Sequence, residues 1–317
     1  MTIAISATKP KFHVKLIGQN PIGPYIRKLS IAEFNQKQFI DYLSNIPGVS
    51  EKFIASTSNH LHIFQSLPST NQTLWQLIDS RASPGIVIAT QQTAGRGQWG
   101  RNWDSTVGGL YMSVAIAKQC RRSIAPNISI SQTAQLTLSS AWGIAASLQD
   151  YGVPVKIKWP NDLILENRKL GGILTETRIH KEKISQAVIG VGINWANSVP
   201  DTGINLQSYC RKQSKAEIFS LEMLAAIVCH GLESGIKQLL ESGIENILPA
   251  YTQLLINIGQ QVLVENRIGT IIGVTTTGEL RVKLDPDQTI PGTNSQISPL
   301  EICLKPGRIN LGYGQNS

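Results

Sequence analysis

Residues 155–196 read VKIKWPNDLILENRKLGGILTETRIHKEKISQAVIGVGINWA. Val155, Ile157 and Trp159 alternate with Lys156 and Lys158, the two-residue period of a strand, so both lysines point to one face. Pro160-Asn161-Asp162 breaks that strand. An apolar LIL follows, then a polar turn from Glu166 to Lys169, then LGGILTETRI. A second polar turn, His180 to Lys183, leads into ISQAVIGVGINWA. Strand-like runs joined by such short turns form hairpins, and hairpins build antiparallel sheet. Helical segments lie before and after, so the expected class is α+β, with a largely antiparallel central sheet flanked by helices and not a doubly wound parallel one.

On the N-terminal side, Ile130 to Tyr151 reads as a helix whose face is Ala134, Leu138, Ala141, Trp142, Ala145 and Leu148, ended by Gly152 and Pro154. Leu61 to Leu67 and Ile86 to Thr90 read as strands. Between them Pro68 to Asn71 forms a turn and helix N-cap, and Gln72 to Arg81 a helix. Glu33 to Ile46 has helical spacing and stops at Pro47-Gly48, whereas residues 1 to about 30 show no clean period and read as loosely structured. On the C-terminal side, Ile218 to Leu255 is mostly helical, with Ser234-Gly235, Ser242-Gly243 and Pro249 as places to bend or split it. After Gly259, short strands separated by turn signals predict a small β-barrel. The expected organisation is a basic N-terminal segment (1–60), a central domain (61–256) and the small barrel (257–317).

The run Gln91 to Trp103, QQTAGRGQWGRNW, follows the strand at 86–90. Glycine lets backbone turn freely and approach a ligand, and arginine offers a fixed fork of donors for phosphate or carboxylate. Two readings stand: a mobile cationic loop that closes over an anion, or a surface hairpin with scattered charge. Gly95 to Gly100 also matches G-x-G-x-x-G formally. The dinucleotide motif must open a helix, and here turn residues and a strand, LYMSVAI, follow instead. Lys158, fixed by a following proline, is either held at a site or solvated on an exposed sheet face. Gly171-Gly172 and Gly190-Val191-Gly192 thin the neighbouring strands, which suits close approach of a ligand or another backbone. With Arg96 and Arg101 nearby, the set suits a flat ligand bearing a phosphate.

Composition bounds the remainder. The chain has 317 residues, 41% apolar content and a net charge of +8. That is enough for one large and one small domain. The basic balance fits nucleic acid, an acidic partner, or solubility alone. No apolar run is long enough to span a membrane, and the first residues do not form a secretory signal. The scattered cysteines, Cys120, Cys210, Cys229 and Cys303, fit a reduced cytoplasmic protein without disulfides or a zinc site. His60 and His62 could be half a metal site, but no third ligand lies nearby, and no metal ligands are assigned. One short helix before residue 61 is too little for a winged helix-turn-helix, so specific DNA binding is not expected.

Five motifs, in order and spacing, resemble those of the biotin–protein ligases (biotin–[acetyl-CoA-carboxylase] ligases): PSTN at 68–71, QTAGRGQWGRNW at 92–103, KWPNDL at 158–163, RKLGGIL at 168–174 and VIGVGIN at 188–194. The resemblance spans roughly Leu61 to Asn197 and implies a class II synthetase-like catalytic domain, with a last domain that is an SH3-like barrel. It implies that biotin's carboxylate attacks the α-phosphate of ATP, with Mg²⁺, to give biotinyl-5'-AMP. A lysine of the biotin carboxyl carrier protein of acetyl-CoA carboxylase then takes the acyl group. By the same resemblance, Ser69, Thr70, Asn71 and Gln92 contact biotin, with Arg96, Gly97, Gln98, Lys158, Gly171 and Gly172 around it. Arg96, Arg101, Trp103, Asn161 and Asn194 belong to the nucleotide side. Lys158 stands between carboxylate and α-phosphate, and Arg96 and Lys158 carry the catalysis. Trp103 packs either the closed loop or the core.

The chain departs from the family pattern twice. Some members carry a basic residue where Gln98 and Trp99 stand, which bears on how tightly the adenylate is retained. Bifunctional members begin with a DNA-binding winged helix, which residues 1–60 do not resemble, so a ligase without repressor activity is expected. The rival readings are a lipoate or octanoate ligase on a related fold, a biotin-responsive repressor, and a catalytically dead binding module. An exposed sheet edge would support a homodimer.

Overall fold

In a computed structural model of the chain, the structure describes residues 34–80, 85–117, 132–213, 216–285, 300–309 and 311–312. The loosely structured reading of residues 1–30, and Cys120, lie outside them.

The central sheet has seven strands: β1 (Leu61–Phe64), β2 (Ile86–Ala89), β3 (Leu110–Ala117), β4 (Lys156–Lys158), β5 (Asp162–Leu165), β6 (Arg168–His180) and β7 (Lys183–Ile193). Their order is β1-β2-β3-β7-β6-β5-β4. The stretch 155–196 forms the antiparallel hairpins expected of it. Two of its turns are as short as turns can be. Glu166 and Asn167, and Lys181 and Glu182, all take positive φ between 47° and 59°, the backbone twist that a two-residue hairpin demands. The sheet is nevertheless mixed. β1 and β2 run parallel, because α3 (Thr70–Asp79) connects them, and a helical crossover, unlike a hairpin turn, can return the chain in its original direction.

One face of the sheet is covered by α4 (Thr133–Asp150) and α6 (Leu221–Ser242). These helices cross through glycine. A Cβ on Gly143 would lie 2.1 Å from Gly231 O, and one on Gly235 would lie 2.2 Å from Ser139 O. α6 ends at Gly243, whose φ is +77°, and α7 (Ile244–Leu254) continues with Pro249 inside it. Of the three breaks considered, only the one at Ser242-Gly243 divides the helix. On the other face, Leu74 and Ile78 of α3 pack with Val87, Ala115 and Val188 in a small separate core.

Before the sheet stand α1 (Gln36–Ser44), with Phe39 and Leu43 fully buried, and α2 (Glu51–Asn59). The sequence reading contained only the first. Ser50 caps the second, its side chain accepting from Phe53 N.

The C-terminal part corrects the expectation of a barrel. β8 (Gln261–Val264), β9 (Arg267–Val274), β10 (Leu280–Leu284) and β11 (Glu301–Leu304) form an antiparallel sheet in the order β11-β10-β9-β8. Closure requires the two outer strands to pair with one another. Among the described residues β8 and β11 do not pair, so the sheet is open. Its inner face is Ile271, Val274, Leu280, Val282 and Leu284.

Candidate active site

A cavity of about 520 Å³ opens where α3, the 91–103 loop, the β4–β5 turn and strands β6 and β7 meet. Ser69, Thr70, Asn71, Gln92, Arg96, Gly97, Gln98, Arg101, Trp103, Lys158, Asn161 and Gly172 all line it. Gly171 and Asn194 do not. A Cβ on Gly171 would meet Gly192 O at 2.5 Å, so its role is contact between strands. Asn194 is buried behind the cavity and accepts from Asn197 Nδ2 at 3.0 Å.

The Ser69–Asn71 turn is locked before any ligand arrives. Gln92 Oε1 accepts from Thr70 N at 2.8 Å, and Gln92 Nε2 donates to Ser105 Oγ at 2.7 Å. Fully buried Ser113, on β3, donates to Asn71 Oδ1 at 2.6 Å and lies 2.7 Å from Thr70 Oγ1. Asn71 Nδ2 donates to Glu176 Oε2 at 2.9 Å, and the same oxygen accepts from Trp75 Nε1 at 3.2 Å. The glycines of β7 make room for this arrangement. A Cβ on Gly190 would lie 2.3 Å from Asn71 Oδ1, and one on Gly192 would lie 2.6 Å from Trp103 Nε1. The space these two glycines leave is therefore taken by protein side chains.

The 91–103 loop folds as a small hairpin that lines the cavity. Arg96 bridges Asn102, and Gly97 N donates to Arg101 O at 2.7 Å. Trp99, at its tip, has φ +60° and is 66% exposed. Beyond its base, the loop touches the rest of the site through Arg96 and Trp99. Arg96 Nη2 lies 3.2 Å from Glu176 Oε1. The indole of Trp99 rests against Gly307, where a Cβ would sit 3.0 Å from Trp99 Cε2. Gly307, Arg308, Ile309 and Leu311, which follow β11, complete the cavity wall.

Lys158 is only 8% exposed. Burial pushes its pKa down, Asp162 opposes that, and Lys169 and Arg101 add to the fall. Lys169 Nζ is 2.7 Å from Asp162 Oδ1 and 5.1 Å above the Trp103 ring. The solvated-lysine reading therefore fails for Lys158, while its neighbour Lys156 is exposed. The arrangement gathers cations and hydrogen-bonding groups around a space that a loop covers, which suits bringing two anions together.

Ser113, Glu176, Ser105 and the segment after β11 were not read from sequence. Each meets the site from a distant position, and none sits in a glycine- or proline-marked motif except Gly307. Among the described residues, no group of three or more His, Cys, Asp or Glu could hold a metal ion, and His60 Nδ1 lies 2.8 Å from Ser56 O.

Residues 63–194 match the model of the biotin/lipoate A/B protein ligase family. The bifunctional ligase/repressor BirA of Salmonella typhimurium is 30% identical over 236 residues, 72% of this chain and 71% of that protein. The BirA of Bacillus subtilis is 36% identical over 148 residues, 45% of this chain and 43% of that protein, so the chain spans less than half of that relative's length. Among solved structures, biotin protein ligase from Aquifex aeolicus in complex with biotin and ATP superposes with a TM-score of 0.54 at 22% identity, covering 70% of this chain and 91% of that one. That likeness concerns the fold. The family match covers all five motifs, and the chain belongs to the biotin/lipoate A/B protein ligase family.

Proposed function

We propose that the protein activates biotin with ATP to biotinyl-5'-AMP and transfers the biotinyl group to a specific lysine of the biotin carboxyl carrier protein of acetyl-CoA carboxylase. The observation that carries this reading is the single cavity that collects the Ser69–Asn71 turn, Gln92, the Arg96–Trp103 loop and Lys158.

In the first step a biotin carboxylate oxygen forms a bond to the α-phosphorus of ATP while the bond to pyrophosphate breaks. Two anions meet, and a fixed cation between them lowers the barrier. Lys158 fills that place, with Arg96 supporting the developing charge. Ser69, Thr70, Asn71 and Gln92 hold biotin, with Gly97, Gln98 and Gly172 shaping its surroundings and Gly171 keeping β6 close to β7 beside them. Arg101, Trp103, Asn161 and Asn194 serve the nucleotide side, the last from behind the wall. In the second step an amine of the acceptor attacks the biotinyl carbonyl carbon and AMP leaves. The covering loop keeps the mixed anhydride from water.

Mg²⁺ would enter with the nucleotide. Asp162 is the carboxylate on the cavity wall and is paired with Lys169, so the phosphates, not a protein cage, would hold the ion.

We place the protein in the cytoplasm and expect no specific DNA binding; an exposed sheet edge would support a homodimer. Among the described residues, no helix is long and apolar enough to cross a membrane. Gel filtration and an operator gel shift check the dimer and the lack of repressor activity.

The decisive test is exchange of labelled pyrophosphate into ATP with biotin, lipoate or octanoate as the acid. Exchange with biotin alone is expected. Exchange with lipoate or octanoate moves the chain to the other branch of its family. No exchange in folded protein leaves a ligand-binding module.

A further inference from the structure

β4 is three residues long and lies at the edge of the central sheet, with β5 as its one strand neighbour. Such a strand frays unless something holds it. Lys158 is its last residue. The turn after it is held on one side by β6, through Asn161 Nδ2 to Ile173 O at 2.6 Å, and on the other by residues from the C-terminal part of the chain. Trp159 N donates to Asn257 Oδ1 at 3.0 Å. Trp159 Nε1 donates to Gly278 O at 3.0 Å. Tyr251 Oη donates to Pro160 O at 2.9 Å. On the open edge, Ile256 N donates to Ile157 O at 2.9 Å.

These partners are themselves fixed. Asn257 is fully buried, and its Nδ2 donates to Gln260 Oε1 at 3.0 Å, which sets the amide so that its oxygen faces Trp159. Gly278 lies in the β9–β10 turn with φ +87°, pressed so closely on α4 that a Cβ would lie 2.6 Å from Ala134 Cβ. The Trp159 indole thus spans from the catalytic turn to the C-terminal sheet, and it is 4% exposed.

We propose that Trp159 is a positioning residue through which Asn257 and the C-terminal sheet set the place of the Lys158 ammonium. This rests on the reading of Lys158 as the charge-stabilising group. A backbone error at Lys158 is carried along the stem to its ammonium. A displacement on the order of 1 Å at a reacting centre can cost about 10²-fold in rate. The C-terminal sheet therefore contributes to catalysis by holding the lysine, in addition to lining the cavity.

The test uses the full chain in biotin-dependent pyrophosphate exchange. Trp159→Phe keeps an aromatic ring and removes the Nε1 donor. Asn257→Leu keeps the approximate volume and removes the acceptor for Trp159 N. Each is expected to lower kcat about 10- to 100-fold while leaving KM for biotin and for ATP within about threefold. On a Lys158→Ala background, each should then add little, because both changes remove the same contribution. A merely structural role would lower thermal stability and leave kcat per folded molecule unchanged, whereas a role independent of the lysine would add its full loss on that background. Either result overturns the proposal. If Trp159→Phe does not fold, Asn257→Leu decides alone. If Lys158→Ala itself keeps normal exchange, the assignment of the lysine fails. If only Lys158→Ala loses activity, the assignment stands and this inference fails.

Discussion

Gly190 and Gly192 lie two residues apart on β7, yet the space beside them is filled from different directions, which predicts two separable defects. An alanine Cβ at 190 would lie 2.3 Å from Asn71 Oδ1 and 3.0 Å from Asn71 Cγ, against the 3.4–4 Å of ordinary contact. Asn71 must retreat by roughly 1 Å, which breaks its 2.6 Å bond from Ser113 and its 2.9 Å bond to Glu176. The neutral bond contributes about 0.5–1.5 kcal/mol and the charged one about 1.5–3 kcal/mol. At the lower ends of these two ranges the loss is about 2 kcal/mol, or about 30-fold at 1.36 kcal/mol per decade. For Gly190→Ala that loss should fall on KM for biotin. An alanine Cβ at 192 would lie 2.6 Å from Trp103 Nε1 and 2.8 Å from Trp103 Cε2, so Gly192→Ala should raise KM for ATP and leave that for biotin close to normal. Pyrophosphate-exchange saturation curves in each substrate separate the two. If both variants raise both constants equally, or if folded Gly190→Ala binds biotin normally, the glycines are not seats for Asn71 and Trp103 and the reasoning is wrong.

Other consequences follow from single features. Lys158→Ala should lose about 10²–10³-fold in adenylation. Because burial lowers the pKa of Lys158, exchange by the parent should fall at a lower pH than an ordinary lysine would dictate. The unfolded chain holds that proton more tightly, so the lysine's cost to stability should ease as pH rises; a pH–rate profile and urea melts at matched pH values check the two signs. The Lys181-Glu182 hairpin turn places two side chains in the left-handed region, where each costs about 1–2 kcal/mol. Replacing the pair by Asn-Gly should therefore raise Tm by a few degrees, as read by calorimetry. Gly143→Ala should destabilise by about 1–3 kcal/mol through overpacking of α4 on α6; an unchanged or raised denaturation midpoint would contradict the close crossing.

The hairpins of 155–196 were legible because every run alternates and every turn is polar, so local spacing alone decides the pairing. The parallel β1–β2 pair was less so, although the helix between them was read. Direction follows from that connection and leaves no mark in either strand. The barrel was over-read, since short strands with turn signals look alike whether or not the outer two meet. α2 was missed because EKFIASTSN mixes an apolar pair with Ser, Thr and Asn, weak helix formers whose N-cap, Ser50, is the main cue. At the site, residues within compact motifs could be read together. Ser113 and Glu176 could not, because each reaches Asn71 across 42 and 105 positions and occupies an ordinary place in a strand. Gly190 and Gly192 drew attention for the right reason, an empty space, but sequence does not say what enters it.

The seat of Trp99 on Gly307 changes how the covering loop should respond to its solvent. A loop held only by charge is loosened by dissolved salt, which screens within about 10 Å at 0.1 M. An indole laid on a bare glycine has no charge to screen. Its hold should be indifferent to potassium chloride, strengthen in sulfate, which is excluded from apolar surface, and loosen in urea. The dwell time of activated biotin would then depend on which ions are present as well as on ionic strength, which screens the Arg96–Glu176 pair, and cooling would weaken the indole's part of the clasp.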